Sequence, residues 1–169
     1  EWLHATLAQM RSTFNIDNAQ QSYVSFSQNE DLQGLSYFTH LYEAIASHQV
    51  VLLKYHKFEG NSWDRIVHPY QLRQYNNRWF LVGKEPSLCE MLPLVVIPLD
   101  RIDSFKVSDA ITFEPYNGEI DECFKNIVGV SLRFNTPCQH IVFKAFSVIA
   151  SYIETKPIHH SQMIVERHD

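Results

Sequence analysis

No cysteine pair, no long apolar run and no catalytic signature mark this chain, and each gap closes off a class. The three cysteines, Cys89, Cys123 and Cys138, stand far apart in 169 residues. They form neither a CxxC pair nor an even disulfide framework, which suits a reducing cytoplasm and thiols that act as small hydrophobes. No stretch approaches the roughly 18 consecutive apolar residues of a membrane helix. The opening residues, Glu1-Trp2-Leu3-His4, lack a basic segment and an apolar signal core, so no secretory signal is expected. Without an initiator Met, the chain reads as an excised piece of a longer protein. No HExxH, P-loop or GxSxG motif occurs. The nine histidines are scattered without ligand spacing. His159 and His160 are adjacent, so on a strand they point to opposite faces. Asp100 beside Arg101 suits a turn or an ion pair better than catalysis. No enzyme activity, metal or cofactor is therefore expected.

Charge is modest but uneven. The formal net charge of -5 argues against a surface that wraps a polyanion. Yet from Val50 to Lys106 eight basic residues (Lys54, Lys57, Arg65, Arg73, Arg78, Lys84, Arg101, Lys106) outnumber six acidic ones (Glu59, Asp64, Glu85, Glu90, Asp100, Asp103). The rest of the chain holds six basic and thirteen acidic residues. A locally basic module in an acidic chain points to a confined anion site. With 45% hydrophobic and 20% charged residues, the chain can bury one medium core or two small ones.

Leu3, Leu7, Met10 and Phe14 share one helical face, so Trp2 to Thr13 reads as an amphipathic helix. It either packs on the body or serves self-association or linkage. Asn15 to Gly34 is polar loop, with a short extended segment around Tyr23, Val24 and Phe26. Leu35, Phe38, Leu41, Tyr42 and Ile45 again follow helical spacing, with Ser36 as N-cap and an end near Ser47-His48. Val50 to Phe58 reads as a strand, Glu59 to Ser62 as a turn, and Trp63 to Val67 as the return strand. Pro69 cannot donate to a ladder, so this strand is expected at an edge, bent or bulged near His68.

The densest apolar run is Arg78-Trp79-Phe80-Leu81-Val82-Gly83. Asn76-Asn77 before it can supply the positive dihedrals of a tight hairpin whose first strand is Gln71 to Tyr75. Alternation puts Trp79 and Leu81 on one face and Phe80 and Val82 on the other, both apolar. Leu94 to Leu99 and Ile102 to Val107 complete about five short antiparallel strands after one helix. That count suggests an α+β fold with a small barrel, since closure removes exposed edges. From Ala110 the composition shifts. Phe113 to Gly118 reads as a linker, followed by a short helical face at Ile120, Phe124, Ile127 and Val128. Val130 to Phe134 reads as a strand, Cys138 to Ile153 as a helix with a broad apolar stripe, and Met163 to Val165 as a strand. The apolar stripe exceeds what this unit can cover, so an exposed apolar surface or a partner chain is expected.

Val50 to Tyr55, Arg65 to Tyr70, the Arg78 to Gly83 run and Leu99-Asp100-Arg101-Ile102 form an ordered set. In this order and spacing, the stretch from about Leu35 to Val107 resembles the WYL domain of bacterial transcriptional regulators. The Trp-Tyr-Leu triplet that names the family reads Trp79-Phe80-Leu81 here. The resemblance implies an SH3/Sm-like barrel, and the βαβ order after it resembles the first half of a ferredoxin-like C-terminal extension. The chain thus divides into a linker helix and loop (1–34), a barrel domain (35–109) and an incomplete extension (110–169).

Arg65, Arg78 and Arg101 fall on three predicted strands, and a guanidinium fork matches phosphate. Tyr55, Tyr70 and Phe80 offer faces on which a base could stack, each worth roughly 1–3 kcal/mol in single-strand binders. In WYL domains the matching basic and aromatic positions line a ligand pocket. They correspond here to Tyr55, Arg65, His68, Trp79, Phe80 and Arg101, with Trp79 better suited to the core. Two departures weaken the polar grip. Phe80 lacks the tyrosine hydroxyl, and Leu92 to Pro98 holds no arginine. The resemblance implies the ligand-sensing and dimerisation region of a cytoplasmic transcriptional regulator. Its ligand would be a nucleic-acid fragment or nucleotide-like anion, and its DNA contact a helix-turn-helix outside this chain. The alternative is a homodimerisation module without a small ligand.

Overall fold

The computed structural model describes residues 35–57, 60–88 and 92–167. The helix expected at Trp2 to Thr13, the segment near Tyr23 and Cys89 lie outside the described residues. A 3-10 turn, Leu35–Tyr37, leads into helix α1, Phe38–Ala46. Strands β1 (Val50–His56), β2 (Ser62–Tyr75), β3 (Arg78–Lys84), β4 (Val95–Pro98) and β5 (Ile102–Ser108) follow. Helices α2 (Ile120–Phe124) and α3 (Ser147–Thr155) come last. Helix α1 buries Leu41 and Ala44, three apart, with Phe38 and Ile45 packed beside them. Ser36 is not its cap: it lies in the 3-10 turn, and Tyr37 holds the N-cap position without a side-chain hydrogen bond. The helix closes at His48, whose φ of 52° lets the Gln49 N–H reach Ala44 O at 2.9 Å.

The sheet is antiparallel, in the order β4-β3-β2-β1-β5. Its axis is β2, which pairs with β1 from Ser62 to Val67 and with β3 from His68 to Tyr75. Pro69 therefore marks no edge. It stands where β2 passes from one neighbour to the other, and the register shifts between Pro69 and Gln71. The missing N–H falls at an irregularity that tolerates it. Asn76 and Asn77 sit at the hairpin tip with φ of 49° and 59°, as a primed turn requires.

The expected closed barrel is not formed. Strands β4 and β5 are the two edges of the sheet, joined by the Leu99–Arg101 3-10 turn. Three residues span at most about 10 Å, so the sheet curls to bring its edges near each other, yet no ladder joins them. Strand β4 is four residues long and ends in Pro98, which has no N–H to offer.

Alternation divides the apolar residues between the two faces of the sheet. Leu81 and partly buried Trp79 join the main core, with Leu41 and Ala44 of α1 and Val51, Leu53, Val67, Ile97 and Leu99. Trp79 meets the Phe38 ring edge-on at 4.7 Å, so it is a core residue. Val82 faces the other way, into a second cluster with Leu94 and Phe124 of α2. Each buried aliphatic or aromatic side chain in these clusters contributes roughly 1.5–3 kcal/mol.

The C-terminal part departs from the expected βαβ unit. Among the described residues, no strand follows Ser108, so neither Val130 to Phe134 nor Met163 to Val165 pairs. Leu132 and Phe134 still pack on the second cluster. The helix expected over Cys138 to Ile153 is only α3, from Ser147. Phe146 before it is extended, and Ser147 has a φ of 50°. Ile141-Val142-Phe143 is β-branched and aromatic, a poor helix former. A strand with no neighbour has no ladder to stabilise it. Large apolar side chains stand open here, among them Ile141 (77% exposed), Val148 (79%) and Met163 (80%).

Candidate ligand site

Tyr55, near the end of β1, is the hub. Its ring is buried, and the Arg65 guanidinium lies 4.9 Å from the ring centroid. The β1–β2 register explains this. Leu53 opposes Arg65 and Tyr55 opposes Trp63, so Tyr55, Trp63 and Arg65 share one face. Arg101 comes from the 3-10 turn between β4 and β5 rather than from a strand. Its Nη1 donates a long hydrogen bond of 3.5 Å to the Tyr55 hydroxyl. Arg78, at the start of β3, donates from Nε and Nη2 to the two Asp100 oxygens at 2.7 and 2.5 Å. Its guanidinium lies 5.7 Å from the Phe80 ring centroid. The Asp100 hydrogen bonds raise the Arg78 pKa above its usual value. Arg65 and Arg101 thus meet at Tyr55, while Arg78 is held by Asp100, the residue next to Arg101.

Among the described residues, Asp100 and Glu85 are carboxylates that stand at Arg78 and Arg65. Asp100 pairs with Arg78 rather than with its neighbour Arg101. Arg65 is met by Glu85, whose Oε2 lies 3.2 Å from Arg65 Nη1. Sequence reasoning missed Glu85, because nothing local shows that the loop after β3 returns to β2. It also missed Trp63, although its place two residues before Arg65 was signal enough. Trp63 is 42% exposed, and Lys57 Nζ lies 5.1 Å from its ring centroid. Tyr55 and Phe80 are buried and carry guanidinium groups, so neither offers the open stacking face expected of it.

His68 and Tyr70 serve the connector after β5. The buried His68 ring accepts the Glu114 N–H at Nδ1 (3.0 Å) and packs near Phe113. Burial lowers its pKa and Lys84 adds to this, while Glu114 acts in the opposite sense. The Tyr70 hydroxyl donates to Glu114 O at 2.8 Å, and burial pushes its pKa up to about 12. Lys84 closes the clasp by pairing with the Glu114 carboxylate. Of the sequence-predicted site residues, the structure brings Arg65 and Arg101 to Tyr55, brings Arg78 to Phe80, and turns His68 and Tyr70 to holding the chain.

Residues 36–107 match the family model described as the WYL domain, so this segment of the chain is a WYL domain. No curated protein matches the chain. Among solved structures, proteasome accessory factor B/C (PafBC) of Arthrobacter aurescens is similar at a TM-score of 0.44 and 18% identity. That similarity covers 51% of this chain and 13% of the other, so the present sequence spans a small part of that protein's length.

Proposed function

We propose that this WYL domain is a non-catalytic sensor within a cytoplasmic transcriptional regulator. It takes a nucleic-acid fragment or nucleotide-like anion at the arginine cluster. The observation that carries this reading is the meeting of Arg65 and Arg101 at Tyr55, with Arg78 held by Asp100 beside Arg101. Guanidinium groups held on a sheet and a tight turn are pre-oriented forks for phosphate oxygens. Half-exposed Trp63, on the face shared with Arg65, carries Lys57 over its ring and so brings a further cation to that face. DNA contact falls to a helix-turn-helix elsewhere in the regulator, reached by a shift in population between arrangements of the full protein.

The test is fluorescence anisotropy with a short 5′-phosphorylated single-stranded oligonucleotide. Arg101→Ala is expected to weaken binding by roughly 1.5–3 kcal/mol, the range for a charge-assisted hydrogen bond. Its salt dependence should become shallower as a phosphate contact is lost. Equal binding by the variant would count against the site. A second reading, homodimerisation without a small ligand, is favoured by the exposed apolar side chains between Ile141 and Val165.

A further inference from the structure

We propose that Glu85 is a built-in competitor at this site, occupying Arg65 until a terminal phosphate displaces it. This rests on reading the arginine cluster as an anion site. The Glu85 side chain is only 8% exposed. Its Oε1 accepts the Ser87 hydroxyl at 3.0 Å, but its Oε2 is buried without a hydrogen bond, although Arg65 Nη1 lies 3.2 Å away. The approach brings charges together without the aligned N–H that makes such a pair strong. A carboxylate shut away from water and only half satisfied is held at a cost.

The two partners differ in how firmly they are placed. Arg65 stands inside β2, opposite Leu53, and is stacked on Tyr55. Glu85 stands one residue beyond the end of β3, after the last rung, which joins His68 and Lys84. Its side chain can turn outward without breaking a ladder. An incoming phosphate can then take the fixed Arg65 fork, and Glu85 regains its hydration. Asp100 behaves differently, because both its oxygens already accept well-aligned N–H groups from Arg78. Of these two, Glu85 is therefore the exchangeable carboxylate. Displacing it favours a terminal phosphomonoester, with a charge of about -2, over the single charge of a backbone diester.

The experiment compares 5′-phosphorylated and 5′-hydroxyl hexanucleotides on the wild type, Glu85→Gln, Arg65→Ala and the double variant. Glu85→Gln should bind about tenfold tighter or better, with a smaller preference for the phosphorylated end. The gain should vanish in the double variant. If Glu85→Gln gains nothing while Arg65→Ala still weakens binding, the competitor is refuted and the anion site stands. If neither wild type nor Glu85→Gln binds, both fall. Hydrogen exchange on the wild type serves if the variant does not fold. The Leu88 N–H bonds to Glu85 O at 3.1 Å and should exchange faster once the phosphorylated probe is bound. Unchanged or slower exchange would overturn the proposal.

Discussion

His68 acts by staying neutral. Its Nδ1 must be unprotonated to accept the Glu114 N–H, so the ring proton sits on Nε2. The folded-state pKa lies below the ordinary 6.5 because the ring is buried, with Lys84 on the same side of the balance and Glu114 against it. As pH falls through 6.5 the unfolded chain takes up a proton that the folded chain refuses, so stability falls with pH. The contribution is complete above 6.5 and is lost down through the lowered folded value. His68→Asn, whose Oδ1 can accept the same N–H, should flatten the loss of Tm between pH 8 and pH 5. A variant whose melting temperature falls as steeply as that of the wild type would show that another group is responsible. Read from sequence, Tyr70 looks like a ligand residue because its ring could stack a base, and His68 because it matches a pocket position of the WYL resemblance. Their true partner, Glu114, is more than forty positions away on a connector whose path no local pattern encodes.

At the level of elements, β3 fits against β2 only through Gly83. A Cβ at that position would stand 2.5 Å from His68 O and 2.7 Å from Val67 Cγ1, and the first of these is backbone. Gly83→Ala should therefore destabilise the sheet by roughly 1–3 kcal/mol, the usual cost of overpacking, measured by urea unfolding. Stability equal to the wild type would show that β2 yields easily there. The helix, the five strands, the Asn76-Asn77 turn and the two faces of β3 were legible in sequence, because periods of 3.6 and 2 are local properties. Whether the sheet closes was not, since that depends on β4 and β5 meeting across the molecule. The βαβ reading failed because Val130 to Phe134 has apolar residues but no strand beside it. Within the site, Tyr55, Arg65 and Arg78 were legible as residue types on strands, whereas Arg101, expected on a strand, lies in a turn. The pairing of Arg65 with Glu85 and of Arg78 with Asp100 was not, because each joins positions about twenty residues apart through turns.

Over the whole molecule, a basic cluster on the WYL sheet coexists with apolar side chains exposed across the C-terminal part. Val148, Ile149 and Tyr152 are exposed along α3, which has no buried residue. If a second copy covers them, the wild type sediments as a dimer and Val148→Glu/Ile149→Glu as a monomer that still binds the oligonucleotide. A wild type that stays monomeric at high concentration would remove the homodimer. Among the described residues no helix is long and apolar enough to cross a membrane. Arg65 and Arg101 at Tyr55, with Arg78 held by Asp100 beside them, are proposed as one anion site. Arginine Nε–Hε resonances, followed while a 5′-phosphorylated hexanucleotide is added, decide whether they act together. Saturable shifts are expected at Arg65 and Arg101, with a smaller one at Arg78 as its Asp100 pair persists. Shifts confined to Arg73 or Arg133, with those of the cluster unmoved, would contradict that site.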